Sequence, residues 1–394
     1  MSSSSAALPS SSHSAAALSR ARWATRAQFA ALGTLGGTWG AHVPSVKQHY
    51  GLGEAMLSTV LLAAALGAVA SLFIAGRVVA KLGARQTAVV TACVMCATLG
   101  IVLVLPGLVV LLPVMMLFGA AMSMFDVAIN TEGSELETLS GRAIMSNLHG
   151  MFSVGGMVGA GVASVLLRAG IEPALQLAFV CAAVAAFAVI AARGMLDTHV
   201  AHAEDTTEKA HFAWPRGLLL VIGLLIFMGM TAEGVMYDWS VLYLKQDIGM
   251  PQALAALGYA TFAAAMALSR FAGDTLRARY SERALLCVGA AVSAVAMAVV
   301  LLSANAWVAL IGFALVGAGL APVAPILFNA ATRVPGVSRA AAIASVTSIG
   351  YSGFMIGPPL IGGIAQNSSL TAALSVVVIA ATLLALGSRY VPKK

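Results

Sequence analysis

The sequence predicts an all-α polytopic membrane protein with twelve transmembrane helices in two parallel six-helix repeats. Among its 394 residues, 60% are hydrophobic and only 9% are charged, whereas a soluble domain carries about 25% charged residues. Twelve apolar segments follow one another along the chain, each close to the ~20 residues that cross a bilayer as a helix. This composition excludes a soluble enzyme, a secreted disulfide scaffold and a disordered chain, because none of these hides so much apolar surface.

The elements follow in order from a polar N-terminus. Residues 1–19 are rich in serine and alanine and are predicted to form a disordered tail. A first six-helix bundle is expected over 20–193, with spans at 25–50, 55–76, 86–106, 108–136, 143–169 and 172–193. A polar stretch at 194–215 is predicted to be a cytoplasmic linker. A second bundle is expected over 216–394, with spans at 216–245, 252–274, 284–303, 306–332, 339–366 and 370–390.

The distribution of basic residues predicts the orientation. With a cytoplasmic N-terminus, nineteen of the 22 lysines and arginines, Arg270 among them, fall on the cytoplasmic side. Only Lys47, Arg168 and Lys245 fall outside. Because loops rich in Lys and Arg stay in the cytoplasm, both termini are predicted to be cytoplasmic. The net charge of +7 is then mostly a topology signal and does not indicate a nucleic-acid partner.

The two halves also repeat each other. The segment V-K-Q-H-Y-G-L at 46–52 recurs as L-K-Q-D-I-G-M at 244–250, an offset of 198 residues. With a one-residue slip, Phe152 and Ser153 correspond to Tyr351 and Ser352. Since six spans are an even number, both copies enter the membrane from the same side. A parallel repeat about an axis along the membrane normal is therefore predicted.

Ionisable residues inside the apolar helices are the candidates for chemistry, because a charge at membrane depth costs about 2.5–3.5 kcal/mol. Asp126 shares a helix face with Asn130 and Ser134. We expect Asp126 to take up and release a proton during turnover and, with Asn130, to bind substrate. The alternative is a structural carboxylate bonded to a Ser or Thr hydroxyl or to His149.

His149 begins a helix face that includes Phe152 and Ser153. If the fourth and fifth helices are antiparallel neighbours, His149 lies at the depth of Asp126, and the two side chains can share a proton. His149 and Ser153 are then expected in the substrate site as well. A histidine bonded to a backbone carbonyl is the alternative.

The seventh helix carries two carboxylates at different depths. Glu233 is near its centre, with Tyr237 four residues on, and both are expected to line the substrate cavity. Glu233 is also a candidate proton carrier. Asp238 is nearer the outer end and is expected to act in gating, with a structural cap as the alternative.

Aromatic and polar residues of two further helices are expected to line the same cavity. They are Trp39 and His42 on the first helix and Tyr351 and Ser352 on the eleventh. An indole ring can stack on the apolar face of a sugar. The alternative for Trp39 is an anchor at the membrane interface.

The loop after the second helix reads G-R-V-V-A-K-L-G-A-R at 76–85 and resembles the G-x-x-x-D-x-x-G-x-R signature of the major facilitator superfamily, with Ala80 in place of the aspartate. Two parallel six-helix halves joined by a cytoplasmic loop are similar to that superfamily over residues 20–392. The resemblance implies a cytoplasmic gate between basic residues of this loop and acidic residues at the end of helix 4. These residues are Arg77, Lys81, Arg85, Glu135 and Glu137.

Three further segments resemble the fucose-permease branch of the superfamily and its uncharacterised bacterial relatives. They are F-D-V-A-I-N at 125–130, R-A-I-M-S-N-L-H-G-M-F-S-V-G-G at 142–156 and E-G-V-M-Y-D-W-S-V-L-Y-L at 233–244. In that branch the position of Asp126 holds a protonatable carboxylate, and Asn130 is shared. The aspartate that the branch has on its first helix falls at Gly40 in this sequence.

These observations predict a secondary active transporter that alternates access by rocking its two bundles and is driven by protons. The expected substrate is a small polar organic solute, first a sugar or related metabolite. A proton-driven exporter of drugs or metabolites is the alternative. A membrane enzyme would need a nucleophile beside a base, or a metal set, and a receptor-like binder is a third hypothesis. We expect a monomer in a bacterial inner membrane, without cofactor, metal or nucleic-acid partner.

Overall fold

The computed structural model describes residues 14–196 and 216–391, which form thirteen α-helices and, in these ranges, no strand. The helices are α1 (Ala15–His49), α2 (Glu54–Leu82), α3 (Ala84–Gly100), α4 (Leu108–Ser140), α5 (Met145–Arg168), α6 (Pro173–Ala192), α7 (Gly217–Gln246), α8 (Gln252–Arg279), α9 (Glu282–Ser303), α10 (Ala306–Leu320), α11 (Val323–Ala331), α12 (Arg339–Asn367) and α13 (Leu370–Gly387).

The tenth predicted span, 306–332, is divided into two helices. α10 ends at Leu320, and α11 begins at Val323 after Ala321 and Pro322. Proline has no backbone N–H and cannot continue the helical hydrogen-bond ladder. Pro325 removes a second N–H from the same turn. The segment is therefore interrupted in the middle of its apolar run.

The first helix begins earlier than predicted. Ser14 caps α1, and its hydroxyl accepts a hydrogen bond from the N–H of Ala17 at 3.2 Å. Serine is a favoured N-cap, and the alanines that follow have the highest helix propensity. Residues 15–19 of the predicted tail are consequently helical. The described residues do not include residues 1–13 of the predicted tail, residues 197–215 of the predicted linker or residues 392–394.

Nine segments within the described ranges are long and apolar enough to cross a membrane. They are α2, α4, α5, α6, α7, the first part of α8, α9, α10 with α11, and α13 with the turn after it. The remaining helices pack against these spans, α1 on α5, α3 on α4 and α12 on α7.

The helices pair in the same way in both halves. In the first bundle α1 packs on α5 and α2 packs on α4. In the second bundle the corresponding pairs are α7 with α12 and α8 with α10. The main contacts between the bundles are also related by the repeat, because α5 packs on α8 and α12 packs on α2.

Glycine lets α1 and α5 approach backbone to backbone. A Cβ atom at Gly37 would lie only 2.1 Å from the carbonyl oxygen of Gly156, and a Cβ at Gly33 would lie 1.9 Å from that of Phe152. No larger residue fits at these positions without moving a helix. Such contacts replace the hydrophobic effect as the source of helix association in a membrane.

The bundles are joined by polar contacts on the side that the basic residues predict to be external. Lys245 Nζ donates to Gln48 Oε1 at 3.2 Å. Gln252 Nε2 donates to Ser45 Oγ at 2.6 Å. On the opposite side, the described parts of α4 and α11 do not pack extensively on each other. The structure is therefore closed between the bundles on the predicted external side.

Candidate functional site

A buried ion pair lies at the centre of α7 and α8. Arg270 Nη2 is 3.1 Å from Glu233 Oε1, and the two side chains are only 12% and 17% exposed. The assignment of Arg270 to the cytoplasmic topology signal is therefore wrong. A carboxylate inside an apolar helix is stabilised by a cation at the same depth. Arg270 stands in the apolar run A-M-A-L-S-R-F-A-G, which is the signal that sequence analysis missed.

Arg270 also connects the two bundles. Its Nη1 donates to Ser153 Oγ at 2.8 Å and makes a longer contact of 3.4 Å with the carbonyl oxygen of His149. In the reverse direction, Ser146 Oγ donates to the Arg270 carbonyl at 2.9 Å. The guanidinium of Arg270 therefore pairs with the Glu233 carboxylate in its own bundle and hydrogen-bonds to α5 of the other bundle.

Tyr237 completes this group. Its hydroxyl donates to Glu233 Oε1 at 3.0 Å. Its ring packs against those of Tyr259 and Phe262, with centroids 5.2 and 5.3 Å apart. Arg270, Glu233, Tyr237 and Ser153 are called the ion-pair cluster below. It combines donors, acceptors and an aromatic face at one depth, as sites for polar organic ligands do.

Asp126 is held separately, on α4. Asn130 Nδ2 donates to Asp126 Oδ1 at 3.0 Å and to the Asp126 carbonyl at 2.8 Å. Tyr351 of α12, in the other bundle, lies near enough to interact electrostatically with this carboxylate. The neighbouring Ser352 instead donates to the Ile349 carbonyl of its own helix at 2.6 Å. The Asp126–Asn130 pair is thus a second polar group at the boundary between the bundles.

His149 does not pair with Asp126. Within the described part of the chain no hydrogen bond joins the two side chains, and the side-chain partner of Asp126 is Asn130. The imidazole of His149 packs edge-on against Phe29, with centroids 5.3 Å apart. The ring therefore lies against α1, and the hydrogen-bond contact between His149 and Arg270 is made by the His149 carbonyl oxygen.

Trp39, His42 and Asp238 lie toward the predicted external side. His42 is fully buried, with Nδ1 3.4 Å from Ser45 Oγ. Trp39 packs against Phe118 at a centroid distance of 5.7 Å. Its indole ring lies close enough to the Asp238 carboxyl group to interact with it. Trp39 therefore links α1 of the first bundle to α7 of the second.

Tyr259 of α8 was not a sequence candidate, yet it fills the space beside Gly40. A Cβ at Gly40 would lie 2.6 Å from both Cδ2 and Cε2 of this ring and 2.9 Å from the Tyr237 carbonyl oxygen. The position at which the resemblance places a helix 1 aspartate in the fucose-permease branch therefore has no room for a carboxylate here. Only packing between α1 and α8 reveals this.

The residues predicted to gate the cytoplasmic side have different surroundings. Arg77 and Lys81 are exposed, whereas Arg85 and Glu135 are half-buried. The Glu137 carboxylate accepts hydrogen bonds from the backbone N–H groups at the start of α5, those of Ile144 at 2.6 Å and Met145 at 2.9 Å. Glu137 thus caps the next helix.

Glu132, one turn earlier on α4, is a buried acid that sequence analysis missed. It is 1% exposed and accepts the N–H of Leu196 at 2.7 Å. Arg85 is close enough to act on Glu132 electrostatically. Glu132 is therefore the acidic residue that connects α4 to Leu196, at the end of the first bundle.

Comparison with known proteins identifies the family. The profile of the Major Facilitator Superfamily matches residues 24–336 and 219–394. The chain belongs to the major facilitator superfamily. An uncharacterized MFS-type transporter of Yersinia pestis is 35% identical over 369 residues, covering 94% of this chain and 95% of the relative. The membrane protein MosC of Rhizobium meliloti is 29% identical, covering 92% and 88%.

Solved structures of the superfamily share the fold. A D-xylose-proton symporter superposes with a TM-score of 0.74 at 13% identity, covering 94% of this chain and 97% of that one. A point mutant of the nucleoside transporter NupG gives 0.72 at 14% identity, covering 95% and 98%. FucP, solved in an outward conformation, gives 0.65 at 14% identity, covering 94% and 98%. The predicted major facilitator fold and membership are therefore confirmed.

Proposed function

We propose that this chain is a proton-coupled secondary transporter of a small polar organic solute, a sugar or related metabolite, working by alternating access. The observation that carries the proposal is the position of the two polar groups. Arg270 of the second bundle hydrogen-bonds to Ser153 of the first, and Asp126 of the first lies near enough to Tyr351 of the second to interact electrostatically. A solute that bridges these groups would contact both moving bodies, which is what alternating access requires.

The ion-pair cluster has the chemistry of a site for hydroxyl-rich solutes. The guanidinium of Arg270 donates, the carboxylate of Glu233 accepts and the hydroxyls of Tyr237 and Ser153 do both. Because Arg270 and Glu233 neutralise each other, the cluster favours an uncharged or zwitterionic ligand. Two structural neighbours are a D-xylose-proton symporter and a nucleoside transporter, and their substrates support solutes of this size and polarity.

Asp126 is the proposed proton carrier. Its hydrogen-bond partner is the neutral amide of Asn130, and it forms no ion pair within the described residues. A carboxylate at membrane depth without a cation is most readily neutralised by a proton. Glu233 has Arg270 as its counter-ion, so we assign it to substrate binding, with protonation secondary. His149 is assigned to the substrate site through the contact of its carbonyl oxygen with Arg270.

The test is solute flux in proteoliposomes after a pH jump. We place the protein in a bacterial inner membrane as a monomer with both termini cytoplasmic, and we expect solute to accumulate with the proton gradient. Collapse of the gradient by a protonophore should abolish accumulation but leave exchange of labelled for unlabelled solute. Movement against the direction of the proton gradient would instead identify the exporter. Binding without any flux would overturn the proposal.

A further inference from the structure

A small cavity lies between α7 and α12, beside the same turns of α7 that carry Glu233 and Tyr237 of the ion-pair cluster. Its volume is about 10 Å³, and its lining includes Asp238, Thr231, Trp239, Phe354 and Pro358. A cavity needs roughly 10–15 Å³ to hold one water molecule, and that water needs two to four polar partners. The cavity is thus large enough for one water molecule. Whether it binds water depends on the polar groups that line it.

Two buried polar groups of this lining have no hydrogen-bond partner. They are Thr231 Oγ1, on a residue 3% exposed, and Trp239 Nε1, on a residue 0% exposed. Each would cost about 1–3 kcal/mol if it stayed unpaired. An indole N–H can only donate, so its partner must accept a hydrogen bond. This requirement favours water over a metal cation.

Pro358 leaves the backbone carbonyl of Phe354, another lining residue, without its usual helical donor. A proline inside α12 removes the hydrogen bond that its N–H would give to the carbonyl four residues earlier, that of Phe354. Together with the Asp238 carboxylate, the cavity therefore offers two donors and two acceptors. One water molecule has the matching capacity of two donated and two accepted hydrogen bonds.

Asp238 stands at the contact between the bundles. The indole ring of Trp39 of α1 lies close enough to this carboxyl group to interact with it. Tyr259 of α8 interacts electrostatically with Asp238 and also with Glu233, which lies one and a half turns earlier on α7. Glu233 is already paired with Arg270. Asp238 is therefore a carboxylate without its own cation among the described residues.

We propose that this cavity is a water site that serves Asp238 as a second proton-binding carboxylate, separate from Asp126 and located at the predicted external closure. When the bundles part on that side, the Thr231 hydroxyl rotates and no longer donates to the bound water, and a hydronium ion gives a proton to the lone pair that this frees. The water passes one of its own protons to the carboxylate, so that a neutral carboxylic acid forms and the water is regenerated. The inference rests on the proposed proton coupling and adds the place where protons enter.

The experiment compares Thr231→Val with Thr231→Ser in proteoliposomes. Valine keeps the shape of threonine but removes the hydroxyl, whereas serine retains it. Proton uptake after an external acid jump, followed with an entrapped pH-sensitive dye, should slow several-fold in Thr231→Val and recover in Thr231→Ser. Thr261→Val is the matched control, because the Thr261 hydroxyl is bonded to Gly258 of its own helix at 3.1 Å. Asp238→Asn should show the loss without recovery.

The outcomes separate this inference from the proposed function. Wild-type protein without any proton-coupled flux would overturn both. Coupled flux in wild type with equal uptake rates in both Thr231 variants would overturn the water site alone. Replacing choline by sodium at constant pH tests the occupant, because sodium-dependent flux lost in Thr231→Val would show a cation site. A structure at a resolution that shows ordered water should have one within hydrogen-bond distance of Asp238 and Thr231.

Discussion

Arg270 connects three helices through one guanidinium, since it bonds to Glu233 on α7 and to Ser153 on α5 while belonging to α8. Both partners of the ion pair are mostly buried. Their mutual attraction offsets the cost of removing two charges from water, and neither charge is well tolerated alone. We therefore expect the Arg270–Glu233 ion pair to contribute both to the stability of the protein and to substrate binding.

Removing one partner of this pair should destabilise the protein more than removing both. We expect Arg270→Gln or Glu233→Gln alone to lower the free energy of unfolding by about 3–5 kcal/mol, because an uncompensated charge remains. The double variant should recover a large part of this loss. Thermal unfolding of purified protein in detergent measures it, and a double variant less stable than either single one contradicts the pairing.

The same substitution also tests the substrate site. In protein that stays folded, Glu233→Gln should weaken solute binding several-fold, because an amide replaces a charged acceptor. Tyr237→Phe is a milder companion, since it removes one hydroxyl and keeps the ring. Solute titration of the purified protein provides the measurement. Unchanged affinity in both variants would assign Glu233 a structural role.

Asp126 should be needed for accumulation and not for exchange. Asp126→Asn keeps the hydrogen bond to Asn130 but removes the titrating group, so gradient-driven accumulation should fall to background while exchange remains measurable. Glu132→Gln is the matched control on the same helix, because Glu132 is buried and bonded to a backbone N–H. The proton assignment fails if Asp126→Asn accumulates solute as well as wild type does.

Packing between α1 and α8 depends on the absence of a side chain at Gly40. Tyr259 occupies that space and is 2% exposed. The ring crosses from one bundle to the other on the closed side, so its fit is part of the closure itself.

Gly40→Ala should therefore open the predicted external side. The added Cβ would overlap the Tyr259 ring, and a cysteine placed in external α7 in a background free of native cysteines should become more reactive to a polar maleimide. Adding Tyr259→Ala should restore low reactivity by removing the clash. Gly161→Ala is the control, because nothing lies within 4 Å of a Cβ there. Equal labelling of all variants would show that the ring does not control closure.

At the scale of the whole molecule, closure is carried by contacts such as that of Lys245 with Gln48. Cysteines at these two positions, joined by a short bifunctional methanethiosulfonate, should block flux, and reductant should restore it. Cysteines at Lys47 and Glu54 are the matched control, since that 2.6 Å ion pair lies within one bundle. Flux that survives the cross-bundle link would contradict rocking of the two bundles.

The architecture could be predicted from sequence because span length and basic-residue placement are properties of single segments. Asn130 beside Asp126 could be predicted for the same reason, since four residues make one helical turn. The partner of Arg270, the ring beside Gly40 and the capping role of Glu137 could not. Each depends on which helices pack against each other and on the rotation of each helix about its own axis. A single sequence does not determine these two properties.

The tenth segment is interrupted at Ala321 and Pro322. The second half therefore has a flexible point within a span that the first half does not have in its described residues. The first half contains only unbroken spans in its described residues, whereas the second has a joint beside α7, where Val323 packs against Gly229. Two rigid bodies would exchange in one concerted step. A joint divides the displacement into two smaller ones, each with its own barrier. We therefore expect the change from inward-open to outward-open and the reverse change to have different rate constants. Replacing Ala321-Pro322 by two residues that continue the helix should bring the two rate constants closer together.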